Sequence, residues 1–249
     1  MARIIEEDVR IALIFDMDGV LFDSHPVHRI AWRELLRGVG KEVPEAELDF
    51  LLDGASRNEI LRHFLGALSS EKIALYAKQK DAIFQREEDQ VHTVAGLDRF
   101  LDLVEAAAIP MAVASSGSRV RVERMLDGHG LRGRFAVVLT SDDVGVGKES
   151  PAIFLRAAEE LQAKPCEVVV LEDAIGAVEA VKKVGMKFIG IAVGTRGSEL
   201  LKAGADLVLP NFTELKLSDL FELFQPPSAA EQKVASPPSW THPPPFLVL

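Results

Sequence analysis

The feature that most constrains this fold is a set of short, continuous apolar runs, each stopping abruptly at a polar residue. Ile11 to Phe15 stops at Asp16. Similar runs cover Met111–Ala114, Phe135–Leu139, Val168–Leu171 and Phe188–Ala192, with a weaker one at Leu207–Leu209. Runs this short and uniformly apolar read as strands buried on both faces. Helical spacing fills most of the intervals. Val120–Leu126 precedes a break at Gly128 and Gly130, Ile153–Leu161 follows Pro151, and Ile175–Val184 ends at Gly185. Proline suits the start of a helix and glycine the position just past its end. The alternation predicts an α/β fold built on a doubly wound parallel sheet.

One stretch breaks that rhythm. From about Ser24 to Thr93 no convincing strand occurs. Val27, Ile30, Ala31, Leu35 and Val39 recur at helical spacing. Ser56, with Glu59 three residues on, is a capping-box signature ahead of Ile60, Leu61, Phe64 and Leu65. A third helix is expected over Ser70–Arg86. The reading is an all-helical cap, residues 24–94, inserted after the first strand of a core formed by 1–23 and 95–225, with hinges near Ser24 and Ala95. From Gln225 onward the proline density forbids a regular core element, so 226–249 reads as a disordered tail.

Composition removes several classes of function. The chain has 249 residues, 48% hydrophobic, with a net charge of −10. That is enough chain for a real core, and it lacks the basic footprint of a nucleic-acid binder. No apolar stretch approaches the roughly 18 residues that span a bilayer. Residues 1–10 carry Glu6, Glu7 and Asp8 and do not read as a signal peptide. Cys166 is the single cysteine, so no internal disulfide can form. The expectation is a cytoplasmic monomer whose partner is a small metabolite.

The chemistry lies just after the strands. Asp16 and Asp18 follow the first, Ser115, Ser116 and Gly117 the second, and Glu172 and Asp173 a later one. Lys148 leads into a helix. Open α/β sheets bind ligands beyond the carboxyl ends of their strands, so these residues should converge. Clustered carboxylates need a cation to stay ionised together, and hard oxygen donors suit Mg²⁺. A carboxylate can attack phosphorus, and a Ser hydroxyl with a Lys ammonium suits phosphate oxygens. Gly19 predicts a turn that sends Asp18 toward the substrate and leaves Asp16 facing the metal.

Asp16-x-Asp18-Gly19-Val20, Ser115, Lys148 and Glu172-Asp173-Ala174-x-Gly176 occur in order and in strand context. In this the chain, from about Ile11 to Leu215, resembles phosphotransferases of the haloacid dehalogenase superfamily with a helical cap after the first strand. Within them it is similar to β-phosphoglucomutase and related sugar-phosphate phosphatases. The resemblance implies that Asp16 is nucleophile and metal ligand, and that Asp18 is the acid/base and lends a backbone carbonyl to Mg²⁺. It implies that Ser115, Ser116 and Lys148 bind the transferring phosphate, and that Glu172 and Asp173 complete the metal site. In the cap, Asp23-Ser24 through His28, Ala31 and Trp32 resembles the hinge and first helix. Gly54-Ala55-Ser56-Arg57 resembles a loop whose arginine holds a non-reacting phosphate, and Lys80 matches a cap lysine near the substrate.

Three departures separate the chain from the mutase pattern. Lys148 is followed by Glu149, Ser150, Pro151 and Ala152 where Lys-Pro-x-Pro-Asp is usual. Gly117, Ser118 and Arg119 stand where the mutase carries Lys-Asn. Asp81 and Phe84 replace an Asn and a Tyr. They favour a Mg²⁺-dependent phosphatase acting on small phosphorylated metabolites, sugar phosphates first. The alternatives are a β-phosphoglucomutase-type phosphomutase and, from another class, a signalling domain phosphorylated on aspartate. His25, His63, His92 and His129 show no metal-binding spacing and read as surface residues.

Overall fold

The computed structural model describes residues 10–52, 55–145 and 147–225. The expected tail at 226–249, Gly54 and residues 1–9 lie outside the described residues. Six strands form one parallel sheet: β1 Ala12–Phe15, β2 Met111–Ser115, β3 Val137–Thr140, β4 Val168–Glu172, β5 Lys187–Ile191 and β6 Leu207–Leu209. Their spatial order is β3-β2-β1-β4-β5-β6. The helices are α1 His25–Gly38, α2 Arg57–Leu65, α3 Ser70–Arg86, α4 Leu97–Ala106, α5 Arg119–Gly128, α6 Ser141–Val144, α7 Ala152–Glu160, α8 Ile175–Lys183, α9 Gly194–Ala203 and α10 Leu217–Glu222. No helix among the described residues is long and apolar enough to cross a membrane.

Side chains in a strand point alternately to the two faces, and each face here has its own helical layer. Leu13, Phe15, Val113 and Leu171 pack with Phe100 and Val104 of α4, Val122 and Met125 of α5, and Phe212. Ala12, Ile14, Ala114 and Val170 face the other way, against Phe154 and Ala157 of α7, Val178 and Val181 of α8, and Leu200 of α9. This two-sided burial is why the strands read as unbroken apolar runs. β1 sits between β2 and β4, whose chains wind away in opposite directions. That is a topological switch point, the place where such sheets open a crevice.

Among its described residues the segment between β1 and α4 contains no strand. Trp32, Leu35 and Leu36 of α1 pack with Val43, Leu48 and Ile60, Leu61 and Phe64 of α2 in a separate apolar cluster. The capping box at the start of α2 is formed: Ser56 Oγ accepts from the Glu59 N–H, and Glu59 returns a bond to the Ser56 N–H at 2.6 Å. Ile30 departs from the expected stripe and is exposed. Trp32 and Leu36 widen the buried face on the opposite side of Val27, which turns Ile30 toward solvent. An eight-residue 3₁₀ segment at Glu45–Leu52 had no counterpart in the sequence reading.

Candidate active site

The carboxyl ends of β1, β2 and β4 lie side by side, and Asp16, Ser115 and Glu172 stand there. The Asp16 N–H donates to Leu171 O at 2.9 Å, which continues the β1–β4 ladder one step beyond the strand. The chain then turns. The Leu21 and Phe22 N–H groups both donate to Met17 O, and the Gly19 N–H donates to Phe22 O at 2.7 Å. Gly19 has φ +83°, a conformation that suits glycine. The turn separates Asp16, which faces the acidic cluster, from Asp18, which faces α1, α3 and α5.

Asp16, Glu172 and Asp173 are all buried and offer oxygens within 4.8 Å of one another. Lys148, itself buried, pairs with Asp16 and with Glu172 Oε1, the latter at 2.6 Å. Glu172 Oε2 accepts from the backbone N–H groups of Asp173 and Ala174 at 2.5 and 2.8 Å. Burial and the neighbouring Glu172 push the Asp16 carboxyl well above the usual carboxylate range, with Lys148 opposing. Burial also raises Glu172. Lys148 is raised, because its two carboxylates outweigh the cost of burial. A cluster short of positive charge and built only from oxygen donors fits a hard divalent cation.

His25 is not the surface residue the sequence suggested. Its Nε2 lies 2.6 Å from Asp173 Oδ2, and Asp173 raises the imidazole against the opposing effect of burial. His129 likewise is half-buried, its ring nitrogens bonded to the carbonyls of Met125 and Val91. The contacts of His25 with Asp173 and of His129 with Val91 have no sequence signature, since those partners lie far off in the chain.

Asp18 anchors a second network. Its Oδ1 accepts from Ser24 Oγ at 2.7 Å, Arg121 Nη1 at 2.9 Å and His28 Nε2 at 3.0 Å; Oδ2 accepts from Arg121 Nη2 at 2.6 Å. Burial works to raise this carboxyl, but Arg121 and His28 hold it well below the usual range. Lys80 Nζ donates to His28 Nδ1 at 2.8 Å. Burial first and Lys80 second push His28 down to about 3, so its neutral ring passes one bond from Lys80 and gives another to Asp18. Burial, with Arg121 nearby, lowers Lys80 to about 7. Phe84 lies against this group, with Lys80 Nζ 4.8 Å and Arg121 Cζ 5.2 Å from its ring centre.

One cavity of about 60 Å³ joins both networks. Asp16, Asp18, His28, Arg57, Lys80, Ser116, Lys148, Glu172 and Asp173 all line it. Ser115 lies just beneath, fully buried, its Oγ accepting from the Gly117 N–H at 3.1 Å. Arg57 donates to Asp81 Oδ2 at 3.1 Å, and Ser118 Oγ donates to the same oxygen at 3.0 Å. The residues the sequence singled out are therefore brought together. Arg121 and His25 join them unannounced, and Ser24 and Asp81, marked in the sequence as a hinge and as a departure from the mutase pattern, bond into the same networks.

Fold and site together define a hydrolase with an acidic centre at the switch point of a parallel sheet. The chain belongs to the haloacid dehalogenase-like hydrolase family, whose model matches residues 12–185. The phosphorylated carbohydrates phosphatase of Thermotoga maritima is 31% identical over 208 residues, 78% of this chain and 91% of that protein. The validoxylamine A 7′-phosphate phosphatase of Streptomyces hygroscopicus subsp. limoneus is 29% identical over 209 residues, 82% of this chain and 94% of that protein. The crystal structure of β-phosphoglucomutase from Clostridium difficile superposes with a TM-score of 0.76 at 26% identity, covering 90% of this chain and 99% of that one.

Proposed function

We propose that this chain is a Mg²⁺-dependent phosphatase of small phosphorylated metabolites, sugar phosphates first, working through an aspartyl phosphate on Asp16. The observation that carries the reading is the single cavity in which the Asp16, Glu172 and Asp173 oxygens face the Asp18 network. The phosphatase names of the two sequence relatives agree with it.

Asp16, Glu172 and Asp173 would hold Mg²⁺, with the Asp18 carbonyl, and the ion would supply charge neutralisation to the transferring phosphoryl group. An Asp16 oxygen attacks phosphorus as the bond to the leaving oxygen breaks. Asp18, which Arg121 and His28 hold ionised in this structure, takes a proton from the bound substrate's phosphate monoanion and passes it to the leaving oxygen. Water then attacks the phosphoryl group, Asp18 takes back a proton, and the bond to Asp16 breaks to release phosphate. Ser115, Ser116 and Lys148 orient the phosphoryl oxygens, and positioning with charge supplies most of the rate.

Arg57, His28 and Lys80, on the inserted helices, choose the substrate. A cavity of about 60 Å³ is far smaller than the roughly 300–1,000 Å³ that hold drug-sized ligands. Substrate entry therefore needs 24–94 to swing as a cap from the core, with hinges near Ser24 and Ala95, and closure then excludes water. A cytoplasmic monomer completes the proposal.

The phosphomutase reading uses the same parts, and the likeness to a β-phosphoglucomutase keeps it in play. A panel of phosphorylated metabolites scored for both inorganic phosphate and isomerised product decides. Phosphate release without isomerisation supports the phosphatase. Interconversion of hexose 1- and 6-phosphates without net phosphate release overturns it.

A further inference from the structure

Each lysine and arginine described on the cavity wall already has a partner. Lys148 faces Asp16 and Glu172. Arg121 commits both ends of its fork to Asp18. Lys80 is bonded to His28, and burial lowers it to about 7, so near neutral pH it carries only part of a full charge. Arg57 meets two carboxylates: Asp81 Oδ2 lies 3.1 Å from its Nη1, and Asp142 Oδ1 lies 3.6 Å from its Nη2. Of these two, Asp142 is exposed and screened by water. Asp81 is the one built into the site.

Asp81 stands behind the cavity wall, next to Lys80 in the chain. Arg57 of α2 and Ser118, just before α5, both donate to its Oδ2, at 3.1 and 3.0 Å. Its Oδ1 is buried and has no hydrogen-bond partner among the described residues. An unpaired buried acceptor is rare and costly, and this one lies where a ligand can supply the missing donor. A sugar or polyol chain brings hydroxyl donors. A carboxylate or a phosphate dianion brings none, and its charge meets the Asp81 carboxylate across a poorly screened gap. A second anion also gains Arg57 only by drawing it off Asp81, which leaves that partly buried carboxylate unpaired.

We propose that Asp81 is a specificity-determining residue. It favours phosphomonoesters whose far end is an uncharged, hydroxyl-bearing chain, and it disfavours those with a second anionic group there. This selection rests on the phosphatase reading above, which it narrows.

Sorbitol 6-phosphate and 6-phosphogluconate are matched probes. They share one carbon-chain length and carry a single phosphate ester each. They differ at the far carbon, a CH₂OH in the first and a carboxylate in the second. Each is set to compete with 4-nitrophenyl phosphate, using the full chain with Mg²⁺, so its apparent inhibition constant is measured whether or not it is turned over. The ratio of the two constants is the readout, because a general loss of activity or folded protein cancels in it. Wild type is expected to bind sorbitol 6-phosphate at least about 10-fold more tightly than 6-phosphogluconate. Asp81→Asn keeps an acceptor for Ser118 and removes the charge. It is expected to lower that ratio about 10-fold, chiefly through tighter binding of 6-phosphogluconate. A wild type that binds both probes equally, or prefers 6-phosphogluconate, would overturn the proposal, and this arm stands even if Asp81→Asn fails to fold. A fall in the ratio of less than about 3-fold in a folded Asp81→Asn protein would overturn it too. If wild type releases phosphate from neither 4-nitrophenyl phosphate nor any sugar phosphate, the phosphatase reading itself fails and takes the selection with it.

Discussion

Gly19 is the position at which backbone geometry and the acidic centre can be tested together. A Cβ there would lie 2.8 Å from Asp173 Cγ, and nearer still to Asp173 Oδ2 and His25 Nε2, where ordinary contact begins at 3.4 Å. Gly19→Ala must therefore drive the Asp173 carboxyl back by more than half an ångström, and the His25 ring with it. The φ of +83° adds strain, about 1–2 kcal/mol for an L-residue in the left-handed region. With a contact penalty of similar size, the loss of stability is about 2–4 kcal/mol, or a fall in Tm of roughly 4–16 °C for a chain of this size. Activity should suffer more than the fold, since a displacement near 1 Å at a reacting centre costs about 10²-fold. Thermal melts with and without Mg²⁺, beside kcat/KM on 4-nitrophenyl phosphate, measure both. A folded Gly19→Ala protein within about 3-fold of wild-type turnover, with the wild-type Tm response to Mg²⁺, would refute the placement of Asp173 and the reasoning from it.

Two further outcomes follow from the site. Arg57→Ala should raise KM about 10-fold or more for substrates carrying a second anionic group and hardly at all for simple monophosphates, one charge-assisted bond amounting to about 1.5–3 kcal/mol; equal effects in steady-state assays on both would reject its role. Mg²⁺ at about 100 times its Kd should add about 2.7 kcal/mol of stability, and the gain in Tm should be larger at about pH 7.5 than at about pH 5.5. The sign comes from Asp16 and Glu172, whose folded-state carboxyls are raised. Above the ordinary carboxylate range the metal-free fold holds protons that the unfolded chain has lost, so its stability falls as pH rises. The cation displaces those protons and binds better as they leave. A Tm gain independent of pH in differential scanning fluorimetry would contradict this.

What the sequence made legible follows from what burial does to it. Both faces of the central strands are covered, so β1 to β4 read as apolar runs, and their ends mark where a functional group can stand. Asp16 and Glu172 were found because an acid directly after such a run is conspicuous. Ser56 with Glu59 marked α2 because a capping box is local. Contacts across the chain left no such trace. Arg121 carries no local mark in the sequence, and α5 brings it to Asp18, 103 residues away. His25 reads as a surface residue until the turn at Gly19 folds it onto Asp173. Ile30 shows the converse: a correct helical period whose buried face was set by Trp32 and Leu36, not by spacing from Val27.

The central claim is that Asp16 carries the phosphoryl group during turnover. Rapid acid quench of enzyme and substrate with Mg²⁺, followed by peptide mass spectrometry, tests it most directly. An adduct of about 80 Da is expected on the peptide containing Asp16, with neither adduct nor turnover in Asp16→Asn. Wild-type turnover in Asp16→Asn, or an adduct confined to another residue, would contradict it.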